Sequence, residues 1–270
     1  MKDKIVLITG STDGIGKKTA FDLAKKGAKV IIHGRNQEKT EQVFKEIQEK
    51  TENKNLDFVV SDFISMDEIK KMSELLKNKY EKIDVLINNV GMISKKKEFS
   101  NEGIESIFMV NYLSTFMNTL LLFDLVKNSE LKHILNISSM MHSNMIEFDN
   151  LQGQKVFDPY KMYAVSKLCV ILFSYYLEGN LNSDKVYINS MHPGVINTKL
   201  LENRWIGGSS ADFASENIRR VVKLQKESLF SGKYFVSKRM TISSRISYSG
   251  EAQKKLWEIS QRLTDIHFSF

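Results

Sequence analysis

"KIVLITGSTDGIGKK", residues 4–18, sets an apolar run directly against three glycines. Ile5 to Ile8 are apolar at successive positions, the pattern of a strand buried on both faces rather than one with a wet side. Gly10, Gly14 and Gly16 follow with the spacing G-x-x-x-G-x-G, and a helical pattern opens at about residue 15. Glycines there let the backbone turn tightly and approach a pyrophosphate, whose charge is stabilised by free N–H groups at the helix start. A ligand-free glycine turn would read the same in isolation. The strand-loop-helix setting favours a dinucleotide cradle built from Gly10, Ser11, Asp13, Gly14, Ile15 and Gly16.

Working outward, runs of the same kind recur in "KVIIHG" (29–34) and "DVLINN" (84–89). Strands are expected at about 4–9, 28–33, 56–60, 84–88, 132–137, 186–191 and 233–236. Helices are expected between them at about 15–26, 37–51, 67–80, 101–128, 160–180 and 212–224, with a last one near 250–263. Repeated βα units with right-handed crossovers give an α/β fold, a doubly wound, mainly parallel sheet of about seven strands with helices on both faces. No repeat or Pro/Gly-rich linker divides the chain, so residues 1–270 read as one domain. Ligands of such sheets bind beyond the carboxyl ends of the strands.

Composition narrows the classes. A 270-residue chain with 42% hydrophobic and 26% charged residues has the make-up of a globular protein with a substantial core. Its single cysteine, Cys169, excludes an internal disulfide and suits a reducing compartment. The apolar run at the amino terminus is too short for a signal peptide, and no stretch approaches the roughly 18–20 apolar residues of a membrane span. Cytoplasmic residence is the expectation. The net charge of +7 comes from dispersed lysines. The densest run, Lys95 to Lys97, has no interleaved aromatic residues and no nucleic-acid reading motif, so a solvated surface is expected there and no nucleic-acid partner.

The end of the second strand separates the two nicotinamide cofactors. An acid there would hold a ribose 2′-hydroxyl and repel a 2′-phosphate. The chain has His33, Gly34 and Arg35 instead, with Lys17 just past the glycine loop. Arginine's planar fork suits a phosphate, so NADP(H) is favoured over NAD(H).

Together with "INNVG" (87–91), "VNYLSTF" (110–116), "ILNISS" (134–139), "YAVSK" (163–167) and "HPGVINT" (192–198), these residues resemble the short-chain dehydrogenase/reductase family from about residue 3 to 200. "SGKYF" and "AQKKLWEISQRLT" in the tail are similar to the retinol dehydrogenase branch. The resemblance implies a Rossmann-like fold and hydride transfer between a nicotinamide and an alcohol or carbonyl. It implies that Asp62 and Phe63 lie by the adenine and Asn89 by the adenosine. It further implies that Asn111 supports a proton-relay water, that Ser139, Tyr163 and Lys167 are catalytic, and that Ile196 and Thr198 hold the carboxamide. A homodimer or homotetramer through the helices at about 101–128 and 160–180 is implied as well. The chain departs from the family pattern at Val90, where alanine is usual, and in the 24-residue step from Ser139 to Tyr163. The resulting insert at about 140–158 is expected to shape the substrate pocket. A lysine-rich segment at about 199–232 matches poorly.

Two tyrosines compete within "YKMYAVSKL" (160–168), and Tyr-x-x-Ser-Lys recurs at 234–238. Asp158 and Pro159 read as a helix cap and first turn, so residues four apart share a face. Only Tyr163 then meets a lysine, Lys167. Tyr234 and Lys238 lie on a strand, where four residues span about 13 Å, so no chemical role is expected for Tyr234. A free phenol, with a pKa of about 10, is a poor base at neutral pH, and a neighbouring ammonium favours its ionised form. Ser138 and Ser139 point to opposite faces by strand alternation, and the resemblance selects Ser139. His142 and His192 carry no assigned role. The expected function is a carbonyl/alcohol oxidoreductase acting on a lipophilic small molecule. Alternatives are a carbon–carbon double-bond reductase of the same family and a non-catalytic NADP sensor.

Overall fold

Residues 1–181, 186–195, 208–228 and 230–270 are described by the computed structural model. Ile196, Thr198 and residues 199–207 and 229 of the 199–232 segment lie outside them. The described residues form an eight-stranded sheet in the order β3-β2-β1-β4-β5-β6-β7-β8. Its strands are β1 Ile5–Ile8, β2 Lys29–Gly34, β3 Leu56–Val60, β4 Val85–Asn88, β5 His133–Ile137, β6 Tyr187–His192, β7 Lys233–Val236 and β8 Arg239–Thr241. The first seven are parallel, and β8 returns antiparallel to β7. The sheet has one more strand than expected. The three residues of β8 are all exposed, so no apolar run announces it.

Successive side chains along the strands enter opposite cores, as strand alternation requires. Leu7, Ile31, Leu86, Ile134 and Ile188 pack under α3 (Met66–Lys79), α5 (Ser114–Leu121), α7 (Pro159–Asn180) and α9 (Gly250–Thr264). Val6, Ile8, Val30, Ile32, Ile87 and Leu135 face α1 (Gly14–Ala24), α2 (Gln37–Thr51) and α8 (Ala211–Ser228). Helix α9 seals the outer side of α7, where Trp257 stacks on Phe173 at 6.1 Å and meets Tyr176 at 5.0 Å. Cys169 on α7 is fully buried, and burial pushes its thiol well above the usual range. Among the described residues, no helix is long and apolar enough to cross a membrane.

The helix expected over 101–128 is broken into pieces. Gly103, at φ +77°, turns the chain before Glu105 caps a helix that starts only at Ser106. The Glu105 carboxylate accepts from the N–H groups of Ile107 at 2.8 Å and Phe108 at 2.9 Å. After α4 (Ser106–Phe108) comes a π-helical turn, Met109–Leu113, then α5 and α6 (Phe123–Lys127). Such turns recur at functional sites, and this one contains Asn111. By contrast α7 opens as expected, with Asp158 accepting from Tyr160 N–H at 3.0 Å and Lys161 N–H at 2.8 Å.

The imidazoles of His33 and His133 are held neutral by burial. Burial pushes His33 down to about 4 and His133 down to about 3, and neither ring nitrogen of His133 has a hydrogen-bond partner among the described residues. An unfolded histidine titrates near about 6.5, so below that pH the unfolded chain binds protons that the native chain refuses. Stability is therefore unaffected by these groups above pH ~6.5 and falls as the pH drops toward 4. The limiting slope is about 1.4 kcal/mol per pH unit for each imidazole. Urea unfolding between pH 7 and 4 should show this loss, and His133→Leu should lower the slope by about 1.4 kcal/mol per pH unit, leaving the contribution of His33.

Candidate active site

The strand order reverses between β1 and β4, and the crevice at that switch point is where an open α/β sheet receives its ligand. Gly10, at φ +64°, turns the chain out of β1. A Cβ on Gly16 would stand 2.2 Å from the Gly10 carbonyl oxygen and 2.7 Å from Asn89 Nδ2, so only glycine lets α1 seat this closely. Ser11 Oγ donates to the Ile8 carbonyl at 2.8 Å and accepts from His33 N–H at 2.9 Å. Asp13 caps α1 through Gly14 N–H at 2.8 Å, and Ile15 begins the first turn. The Asn89 amide donates to the carbonyls of Thr9 at 2.9 Å and Gly10 at 3.2 Å, tying β4 to the loop.

His33 is a second anchor of this loop that sequence reading gave no part. Gly10 N–H donates to His33 Nδ1 at 2.9 Å, and His33 Nε2 meets the Ser61 carbonyl at 3.0 Å. A carbonyl accepts only, so Nε2 carries the proton and Nδ1 is the acceptor. Phe63 closes over the imidazole with ring centres 4.3 Å apart. Nothing local in "VIIHGR" signals this role, because it depends on the pairing of β1, β2 and β3.

A cleft of about 750 Å³ opens beside these groups, lined by Thr12, Gly34, Arg35, Asp62, Phe63 and Val90 among others. A Cβ on Gly34 would collide with Thr40 Oγ1 at 2.3 Å and Thr12 Cγ2 at 2.4 Å, so no side chain screens the end of β2. Ser61 Oγ, buried with no partner among the described residues, lines the same cleft. Arg35 stands exposed on its rim. Lys17 does not join it, because its ammonium pairs with Glu46 on α2 at 2.6 Å. The contribution expected of Lys17 to a phosphate site therefore goes to the α1–α2 contact.

The polar residues beyond β5 and along α7 converge on the other side of the crevice. Ser138 Oγ donates to the Lys167 carbonyl at 2.7 Å and is thereby committed to the helix backbone. Ser139 Oγ accepts from Met141 N–H at 3.1 Å, and the Ser139 side chain stands close enough to the Tyr163 phenol to lower its proton affinity. Lys167 Nζ lies 5.7 Å from the centre of the Tyr163 ring and donates to the Ile137 carbonyl at 3.0 Å. Gly91 passes so close that a Cβ there would approach Nζ to 3.1 Å. The Asn111 side chain accepts from Met92 N–H at 2.7 Å and donates to the Met92 carbonyl and Ser166 Oγ, both at 3.0 Å. It braces the β4 loop against α7.

Desolvation sets the charge state of the pair. Burial pushes the Tyr163 phenol up, with the nearby Ser139 side chain pulling the other way, and burial pushes Lys167 down to about 8. The protein alone thus presents a protonated phenol at neutral pH. Tyr234, to which the sequence gave no chemical role, also reaches this site: its hydroxyl donates to the Ser139 carbonyl at 3.0 Å. That contact follows from the pairing of β6 with β7, and no spacing in the chain could reveal it.

The short chain dehydrogenase family matches residues 4–207. Polyprenol dehydrogenase of Homo sapiens is 31% identical over 284 residues, covering 98% of this chain and 86% of its own. Retinol dehydrogenase 13 of Mus musculus is 32% identical over 281 residues, covering 97% and 84% respectively. Among solved structures, a protein from Mycobacterium Paratuberculosis superposes with a TM-score of 0.81 at 24% identity, covering 100% of this chain and 96% of that one. A protein from Escherichia coli CFT073, complexed with NADPH, superposes at 0.69 with 22% identity, covering 88% and 98%. At such identities the two structures speak for the fold alone. The family match and the full-length relatives go further: the chain belongs to the short chain dehydrogenase family, oxidoreductases that bind a nicotinamide cofactor and act on small molecules.

Proposed function

We propose that this protein is an NADP(H)-dependent oxidoreductase that moves a hydride between the cofactor and the carbonyl/alcohol carbon of a lipophilic small molecule, with Tyr163 as general acid/base. The observation that carries this reading is the meeting of the Ser139 hydroxyl, the Tyr163 phenol and the Lys167 ammonium beside a glycine-walled cleft. Gly10, Gly14, Gly16, Asn89, Asp62 and Phe63 would hold the adenosine and pyrophosphate, and Ile196 and Thr198 the carboxamide. When bound, the nicotinamide supplies or accepts the hydride, and its oxidised ring is positively charged. Ser139 donates to the substrate oxygen as negative charge gathers there. Tyr163, protonated in the free protein, is in the right state to deliver a proton to that oxygen during reduction. In the other direction the phenolate is favoured by the positive charge close by, Lys167 included. Asn111, on its π-helical turn, holds the β4 loop and α7 in register around this proton path.

NADP(H) is preferred because Arg35 stands at the cleft rim and no acid follows β2. The lipophilic substrate class is supported by the apolar side of the site. Ile107, Met162, Ile93 and Phe157 gather around Tyr163, while Met140, Met145 and Val156 stand exposed on the 140–158 insert. Relatives named for retinol and polyprenol point the same way. Cytoplasmic residence belongs to this proposal on the strength of the lone cysteine. So does a homodimer or homotetramer, although the α7 face is here occupied by α9 of the same chain.

NADPH oxidation should be measured with a panel of aldehydes and ketones, decanal and retinaldehyde among them. Tight NADPH binding without turnover of any of them would favour a sensor instead. With the best substrate and saturating NADPH, Tyr163→Phe should lower turnover by about 10²–10⁴, the usual worth of a positioned general acid–base. Lys167→Ala should be at least as damaging. A folded Tyr163→Phe protein with near wild-type turnover would defeat the mechanism. Separately, Arg35→Ala should weaken NADPH binding by about 1.5–3 kcal/mol and leave NADH binding almost unchanged. Equal losses for both cofactors would remove the 2′-phosphate from Arg35.

A further inference from the structure

The Ser139 carbonyl receives three donors: His142 N–H at 3.1 Å, a His142 ring nitrogen at 2.7 Å and the Tyr234 hydroxyl at 3.0 Å. That carbonyl is not itself a reacting group, and one partner would satisfy it. Resting on the reading of Ser139 given above, we propose that His142 and Tyr234 are positioning residues that fix the Ser139 peptide and so aim its hydroxyl at the Tyr163 phenol and the substrate oxygen.

The geometry assigns the protons. The carbonyl only accepts, so His142 Nδ1 carries hydrogen. Nε2 accepts from Ser244 N–H at 3.0 Å, so it carries none. His142 is therefore a neutral strut of a single tautomer, and burial lowers its proton affinity in keeping with that role. Its ring packs edge-on against Tyr234 at 5.2 Å, which holds the two donors together. Ser244 follows Ser243, whose hydroxyl contacts Tyr175 on α7 at 3.0 Å and Ser247 at 2.7 Å. Through His142 the segment after β8 thus bears on the serine that leaves β5. Orientation matters because Ser139 Oγ already accepts from Met141 N–H. Rotation of the following peptide would break that contact and swing the hydroxyl from Tyr163. Positioned donors lose effect steeply when displaced.

The variants Tyr234→Phe, His142→Gln and His142→Asn separate the parts. Glutamine can keep the acceptor toward Ser244 but loses the donor to Ser139, whereas asparagine keeps the donor and loses the acceptor. With decanal and NADPH, Tyr234→Phe and His142→Gln should each lower kcat about tenfold, roughly one hydrogen bond's worth, without raising KM for NADPH. His142→Asn should restore most of the rate. In a Ser139→Ala background the same changes should alter kcat less than about twofold, since they act through the hydroxyl already removed. The Tyr163 phenol gives a readout that needs no turnover. Followed by carbon-13 tyrosine NMR, it should titrate higher in Ser139→Ala and His142→Gln, and as in wild type in His142→Asn. Equal damage from asparagine and glutamine, or undiminished effects in the Ser139→Ala background, would overturn the positioning role. A Ser139→Ala protein with full turnover would instead overturn the reading of Ser139 itself.

Discussion

No methyl group fits between the first turn of α1 and the loop that precedes it. The Gly10 carbonyl and the Asn89 amide lie so close to Gly16 that the helix can seat only on bare backbone. This close approach brings the start of α1 to the carboxyl ends of β1 and β4, where the strand order reverses. His33 then reaches Gly10 from β2, and Asn89 reaches it from β4. Side chains from two neighbouring strands thus hold one strained turn from opposite sides. The φ angles of +64° at Gly10 and +50° at Gly14 are tolerable because neither residue has a side chain.

Across the crevice the governing effect is loss of water rather than direct ion pairing. Burial raises the proton affinity of Tyr163 and lowers that of Lys167, so both are pushed toward their neutral forms. Groups placed this way respond strongly to any charge that enters, because little solvent remains to screen it. The Ser139 side chain already offsets part of the cost at Tyr163. The scaffold around them is itself held by hydrogen bonds. Ser138 is tied to the α7 backbone, and Asn111 fastens α7 to the β4 loop.

What could be read in the chain was what local periodicity encodes. Doubly buried strands appear as uninterrupted apolar runs, and the i to i+4 rule picks Tyr163 with Lys167 from among several tyrosines. The capping of α7 by Asp158 was equally legible. What could not be read depends on pairing between distant segments. His33 joins the glycine loop only because β1 and β3 flank β2, and Tyr234 reaches Ser139 only because β7 lies beside β6. The break before Ser106 was hidden because "NEGIESIF" offers Glu105 as a cap in a stretch that otherwise looks helical. Lys17 misled because its salt-bridge partner, Glu46, is 29 positions away. The exposed β8 carries no hydrophobic imprint at all.

The burial of Cys169 has a use of its own. It is the only thiol in the chain, and it lies on the same helix as Tyr163 and Lys167, two residues beyond the lysine. While α7 stays seated, a thiol reagent finds neither access nor an appreciable thiolate. Alkylation can proceed only when α7 leaves its place between the sheet and α9. The molecule therefore contains a single-site clock for the opening of α7, readable in the unmodified protein as the rate at which one label is taken up.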